Sequence, residues 1–394
     1  MKFFIAVFGL ILAVSDPAKL LAANSLFSRE EHKGLNEKVE VLNEILGHYA
    51  NDALERPKDI SICLEEMMAM RRSGKCRDKF SHYLSKEESH RSNEEMKGEY
   101  GGVGMELINR DGLVVVVAPL DGSPAMQAGL KSEDIIVRVD DKEVSTADEA
   151  ARLIRGPKGS TVKITVARKA SPDLLNFVII RKAVVIHPVK YHEILKNQEK
   201  IAVVKINSFT GKTSSEFQEA LTNVKKEKIR KVIIDLRNNP GGLLNAALEA
   251  LALFMEKSDL ALTVKERNKE SHLDADFLKD NFNVEDLGKF HDLRVVILIN
   301  KGSASASEIF SGTMKDWGYP VVGNVSFGKG VGQTVFTLSD GSQLWLTTFE
   351  FLVGNNRVQI RDKGVIPTFE IKNSGDKDKD EQMDKAIDIL LNTH

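Results

Sequence analysis

Three short segments of this 394-residue chain carry residue types that could do chemistry together. The first is DLRNNPGGLL, Asp235 to Leu244, in which an apolar stretch runs into Pro240-Gly241-Gly242. Consecutive glycines let a backbone turn sharply and leave amide N–H groups uncovered at the start of a helix. The second is NKGSASASEIF, Asn300 to Phe310, where three serines alternate with alanines small enough for a substrate to approach. The third is FGKGVGQ, Phe327 to Gln333, a lysine flanked by glycines in mostly apolar surroundings. Desolvation disfavours a charged amine, so a lysine held against an apolar wall gives up its proton more readily. To act as a base near neutral pH, its pKa must fall from about 10.4 to about 7, which is worth roughly 4 kcal/mol. A neutral Lys329 amine could then take the proton of a serine hydroxyl and make it a nucleophile.

Each segment also has a plainer reading. Ser305-x-x-Glu308 fits a helix-capping box. The glycines could form a tight connection or a phosphate cradle, but no GxGxxG or GxxxxGK[ST] motif follows any strand, which argues against a nucleotide site. There is no G-x-S-x-G elbow, and none of the nine histidines sits in a recognisable catalytic turn, which argues against a serine–histidine–aspartate hydrolase.

The elements around these segments alternate. Ile201–Ile206, Lys231–Leu236 and Arg294–Ile299 read as apolar strands, and Ser214–Lys226, Ala246–Met255 and Ala306–Asp316 as helices. Strands apolar along their length, alternating with helices, predict an α/β domain whose sheet is covered on both faces. Residues 183–394 form this unit, with a polar loop near Gly375 before a last helix, Met383–Leu391. Residues 99–182 have a different texture of short β-like runs between turns: Leu113–Ala118, Ile135–Val139, Val162–Ala167 and Phe177–Ile180, with a short helix at Asp148–Ile154. Residues 24–98 read as helical, from Leu35, Val39, Leu42, Ile45, Leu46 and Tyr49 and then Ile60, Leu64, Met67 and Met68.

Taken in order, GGVGMEL, GSPAMQAGL, DLRNNPGG, SASASEI and FGKGVGQ resemble the C-terminal processing peptidases, or tail-specific proteases, from about residue 35 to 372. The resemblance implies a crotonase-like (ClpP/crotonase-type) α/β peptidase core, a β-rich PDZ domain and an N-terminal helical region. It implies Ser305 as nucleophile, Lys329 as general base and Gln333 as the residue that holds the lysine amine. The Ala306 N–H would be one oxyanion donor and Gly241 or Gly242 the other. Gly101-Gly102-Val103-Gly104 matches the loop whose N–H groups receive a peptide's C-terminal carboxylate, the peptide adding as a strand to the sheet edge. The implied partners are protein substrates held by their C-terminal tails, with an adaptor protein and a homo-oligomer as further expectations. No metal or organic cofactor is implied. The chain departs from the family pattern at Glu133, where glycine is usual, at Thr368, often aspartate, and at Val353-Gly354-Asn355-Asn356-Arg357, where a proline turn is usual. The interval from Ser305 to Lys329 is also one residue short, at Gly318-Tyr319-Pro320. A catalytically silent PDZ scaffold and an apolar-ligand-binding relative of the fold are the alternatives, and intact Ser305, Lys329 and Gln333 argue against both.

Composition sets outer bounds. Hydrophobic residues are 42% and charged residues 28% of the chain, a globular profile too long for one core. A net charge of −2, from 55 basic and 57 acidic residues, provides no electrostatic basis for binding nucleic acid. At the N-terminus, Lys2 precedes a 12-residue apolar run, Phe3 to Val14, and small residues follow through Ala22-Ala23. That layout predicts a signal peptide over residues 1–23 and an exported, periplasmic or otherwise extracytoplasmic protein. In such a compartment Cys63 and Cys76 could form a disulfide, closing a short loop worth roughly 3 kcal/mol. Their spacing does not suit a zinc site.

Overall fold

The computed structural model describes residues 80–392, apart from 111, 121, 170, 186, 267–268, 283, 285–286, 339 and 373–378. The N-terminal apolar run, the helical pattern from Leu35 to Met68, and Cys63 and Cys76 lie outside the described residues.

The apolar strands assemble into one six-stranded sheet. Glu199–Ile206, Lys231–Asp235, Arg294–Ile299, Val321–Gly323 and Phe369–Glu370 run parallel, and Val189–Lys196 pairs antiparallel at one edge. Alternate residues explain why these strands are apolar throughout. Ala202, Val204, Val232, Ile234 and Ile297 pack under the helices Thr213–Lys226, Leu244–Ala252 and Ala306–Asp316. Ile201, Val203, Ile233, Val296 and Leu298 pack on the opposite side against Ala386, Ile387 and Leu390 of the helix Glu381–Asn392. Both faces are therefore dry, as the sequence pattern requires.

A second, antiparallel sheet has no counterpart in the sequence reading. Its longest strand, Gln343–Val353, is flanked by Val331–Thr337 and by Leu260–Glu266. The strand His82–Leu84 also joins it, pairing with Gln343–Trp345. Of residues 24–98, expected to be helical, the described part contains the helix Lys86–Met96, and the expectation is corrected at His82–Leu84, which is a strand. Ser85 and Glu88 close a capping box that starts the helix directly after the strand. Strand pairing with a segment some 260 residues away leaves no local periodicity to read.

The β-rich module is a sheet ordered Met105–Arg110, Leu113–Pro119, Ile135–Val139, Thr161–Ala167 and Leu175–Ile180, around buried Val114, Val116, Ile136, Val162 and Ile164. Its entry and exit lie side by side, because Glu99–Gly102 pairs with Lys182–Val185.

Candidate active site

The two glycine- and serine-rich turns leave adjacent parallel strands at the same end of the central sheet, where open α/β sheets place their ligands. Side chains staple them together. Asn238 N–H donates to Asn300 Oδ1 at 2.9 Å, and Asn300 Nδ2 returns a bond to Asn238 Oδ1 at 2.8 Å. The Ser303 hydroxyl donates to Leu236 O and the Ser307 hydroxyl to Asn239 O, both at 2.9 Å. Both serines are fully buried, so their hydroxyls are committed to structure. Ser305, between them, is only half-buried, and its hydroxyl, set at the capping box with Glu308, donates to no acceptor among the described residues. Gly241 lets the turns touch: a Cβ there would lie 2.6 Å from Ala304 O and 2.9 Å from Ser305 Cβ.

The Ser305 backbone is strained. Its φ of 55° and ψ of −116° lie where a side chain rarely goes, at the first step of the helix Ala306–Asp316. Such conformations cost about 1–3 kcal/mol and gather at active sites. Glycine tolerates this region at an entropic cost of roughly 0.5–1 kcal/mol. Ser305→Gly is therefore expected to be more stable than Ser305→Ala by about 1 kcal/mol in urea unfolding. Equal midpoints would mean that no strain is stored at this residue.

Glu308 ties the serine turn to the lysine loop. Its fully buried carboxylate accepts Ser305 N–H at 2.8 Å and Lys329 N–H at 2.9 Å on Oε2. Oε1 accepts the Ser326 hydroxyl at 2.5 Å and Gly328 N–H at 2.6 Å. Read from sequence, Glu308 was only half of a capping box; that spacing was the sole sign of its second task. Lys329 Nζ donates to Gln333 Oε1 at 3.0 Å and lies 5.0 Å from the centre of the Phe80 ring. The backbones of Ser305 and Lys329 thus meet on one carboxylate and Gln333 holds the lysine amine, with no direct bond between hydroxyl and amine among the described residues. Such bonds commonly tighten only once substrate is bound.

Around the glycine turn, Gly241 N–H donates to Asn239 Oδ1 at 2.9 Å. The N–H groups of Gly242 and Ala306 have no acceptor among the described residues. Arg237 anchors the start of this turn, donating to Asp235 at 3.0 Å and to Asp380 at 2.7 Å beside the last helix. Burial works against the guanidinium's charge, but its bonds to Asp235 and Asp380 outweigh burial and raise its pKa.

In the β-rich module, Met105–Arg110 is an edge strand facing the helix Ala147–Ile154. A groove of about 140 Å³ lies between them, lined by Tyr100, Val103, Gly104, Leu107, Ala151 and Arg155 among others. Arg155 sits 4.9 Å over the Tyr100 ring and pairs with Glu95 at 2.8 Å. Burial raises the Tyr100 pKa, partly offset by Arg155. Gly101 and Gly102 belong to the short strand Glu99–Gly102, and their need for glycine is internal. A Cβ would lie 2.0 Å from Gly156 O at Gly101 and 2.6 Å from the Tyr100 ring at Gly102.

Comparison with known proteins agrees with this architecture. Residues 200–371 match the family model of peptidase family S41, and residues 115–168 that of the PDZ domain. A CtpA-like serine protease of Staphylococcus haemolyticus is 33% identical over 298 residues, 75% of this chain and 57% of that protein. One from Staphylococcus aureus RF122 is 33% identical over 294 residues, 74% of this chain and 56% of that protein. Over these matched regions the chain is similar to peptidase family S41 and to the CtpA-like serine proteases. It spans somewhat more than half the length of these relatives. The photosystem II D1 C-terminal processing protease has the same fold, with a TM-score of 0.51 at 23% identity, covering 90% of this chain and 96% of that one. A Bacteroides fragilis protein described as an S41 protease has a TM-score of 0.55 at 15% identity, covering 91% and 97%.

Where the chain departs from the family pattern, the structure accommodates the departures locally. Glu133 adopts a φ of 69°, the left-handed backbone that favours the usual glycine. Asn355 and Asn356 hold their turn by bonds with Asp259 and Asp316. The Thr368 hydroxyl accepts Val321 N–H at 3.1 Å, fastening the edge of the central sheet.

Proposed function

We propose that this chain is an exported serine endopeptidase that holds protein C-termini in its PDZ groove and cuts peptide bonds with Ser305 and Lys329. The observation that carries the reading is Glu308, whose single buried carboxylate binds the backbones of both residues. Ser303 and Ser307 are buried and hydrogen-bonded, which favours Ser305 as the reacting hydroxyl. In the reaction neutral Lys329 takes the Ser305 proton as Oγ attacks the substrate carbonyl. The oxyanion forms against the N–H groups of Gly242 and Ala306; Gly241 N–H is already engaged by Asn239, which favours Gly242 as the donor. Lys329 then passes the proton to the departing amine, and water, deprotonated by the neutral Lys329 amine, releases the acyl-enzyme. The residues in these roles need no metal or organic cofactor. Export rests on Lys2 and the apolar run from Phe3 to Val14. An adaptor protein and self-association belong to the same reading.

Tail capture has a direct test. A C-terminal carboxylate offers charge-assisted acceptors to the Gly101–Gly104 backbone, each such bond worth roughly 1.5–3 kcal/mol. Amidating the tail removes the charge and one acceptor oxygen. Matched acid and amide peptides, each long enough to reach from groove to serine, should therefore differ in kcat/KM by about ten- to a hundredfold at sub-saturating concentration. Equal rates would sink tail recognition while leaving the peptidase assignment standing. Labelling of Ser305 by a small serine-reactive phosphonate tests the nucleophile independently of the groove.

A further inference from the structure

Resting on the serine–lysine reading, we infer that Thr347, braced by Ser81, is a positioning residue that orients Gln333 and through it the Lys329 amine. Gln333 and Thr347 face each other across the paired strands Val331–Thr337 and Gln343–Val353. Gln333 Nε2 donates to Thr347 Oγ1 at 3.3 Å, while Gln333 Oε1 accepts from Lys329 Nζ at 3.0 Å. Ser81 closes the set from the strand edge. Thr347 N–H donates to Ser81 Oγ at 2.9 Å, and that hydroxyl donates to Thr347 Oγ1 at 3.4 Å. Ser81 is held there by the pairing of His82–Leu84 with Gln343–Trp345, which also brings the Phe80 ring against the lysine amine.

The orientation matters because an amide has one accepting end and one donating end. With Oε1 towards Lys329, the amine gives up an N–H to the amide and keeps its lone pair for the serine proton. A flipped amide would aim N–H at that lone pair and occupy the electrons the base needs. Thr347 Oγ1 accepts the N–H of the productive orientation, and the Ser81 hydroxyl and the strand pairing hold that oxygen in place opposite the amide nitrogen. A single buried oxygen thereby controls the base from the far side of a glutamine. The segment ahead of the PDZ module supplies one of its supports.

Steady-state kinetics of the full chain on a peptide with a free C-terminus test this. Thr347→Val keeps the shape and removes the oxygen; kcat should fall about ten- to a hundredfold, within the roughly 10²–10⁴-fold that a positioned base contributes, with KM nearly unchanged. Thr347→Ser should restore most of the loss. In a Gln333→Ala background, Thr347→Val should cost nothing more, because its effect passes through the amide. Wild-type kcat in Thr347→Val, or a further loss on top of Gln333→Ala, would overturn the proposal. Should Thr347→Val fail to fold, Ser81→Ala carries the same logic: a smaller kcat loss that disappears in the Gln333→Ala background, and persistence of that loss overturns it. Ser305→Ala, run alongside, separates the two readings. Its activity would sink the serine–lysine chemistry, whereas a dead Ser305→Ala beside a fully active Thr347→Val sinks only the positioning role.

Discussion

Ser305→Ala and Lys329→Ala are each expected to lower kcat/KM for a denatured protein by at least about 10³-fold, with the double variant scarcely worse than either single one. Nucleophile and base act as one unit, so removing either leaves only binding and oxyanion stabilisation, and removing the second takes away little more. Neither change should disturb the fold. Alanine keeps the Ser305 backbone N–H that binds Glu308, and the anchoring of the lysine loop to Glu308 is through the Lys329 backbone, which alanine also retains. Thermal melts and far-UV circular dichroism alongside the kinetics would confirm that. Ser303→Ala and Ser307→Ala should behave differently, losing part of their activity together with stability, because their hydroxyls tie one turn to the other. Normal proteolysis by Lys329→Ala would rule out the lysine as base. Complete, stability-neutral inactivation by Ser307→Ala would mean that the neighbouring serine is the nucleophile.

Glu308→Gln should cost activity on a comparable scale, although the side chain touches no substrate. Four donors converge on the two oxygens of this carboxylate: the N–H groups of Ser305, Gly328 and Lys329 and the hydroxyl of Ser326. An amide replaces one oxygen with a donor, so two of the four would face N–H instead of an acceptor. Each buried donor left unsatisfied costs about 1–3 kcal/mol, and the loops relieve that cost by separating. Since one loop carries Ser305 and the other Lys329, a displacement near 1 Å would follow, and displacements of that size cost about 10²-fold in rate. The expected outcome is a loss of kcat of about 10²-fold or more with a lower melting temperature. A Glu308→Gln enzyme with wild-type kcat would show that the shared carboxylate does not set the geometry.

The sequence by itself determined the parts of this protein that depend on local chemistry. Strands such as Lys231–Asp235 and Arg294–Ile299 are apolar along their length because both faces are covered, and that pattern can be read without a fold. The SASASE, FGKG and DLRNNPGG segments were legible because glycine, alternating small residues and an isolated lysine are poor choices for an ordinary loop. The helix Ala306–Asp316 begins and ends where its residues predict. Other features existed only once distant segments met. Whether Gly241 or Gly242 offers a free N–H depends on Asn239, whose Oδ1 occupies the first of them. The three alternating serines are chemically alike in sequence; Leu236 and Asn239, contributed by another strand's turn, make two of them structural and leave Ser305 apart. Glu308 became a clamp only when the lysine loop folded back on it, and His82–Leu84 became a strand only by pairing with Gln343–Trp345. Hydrophobic periodicity records which face of an element is buried. It does not record which residue, some 260 positions away, lies against that element, and the lysine's surroundings were decided by such contacts.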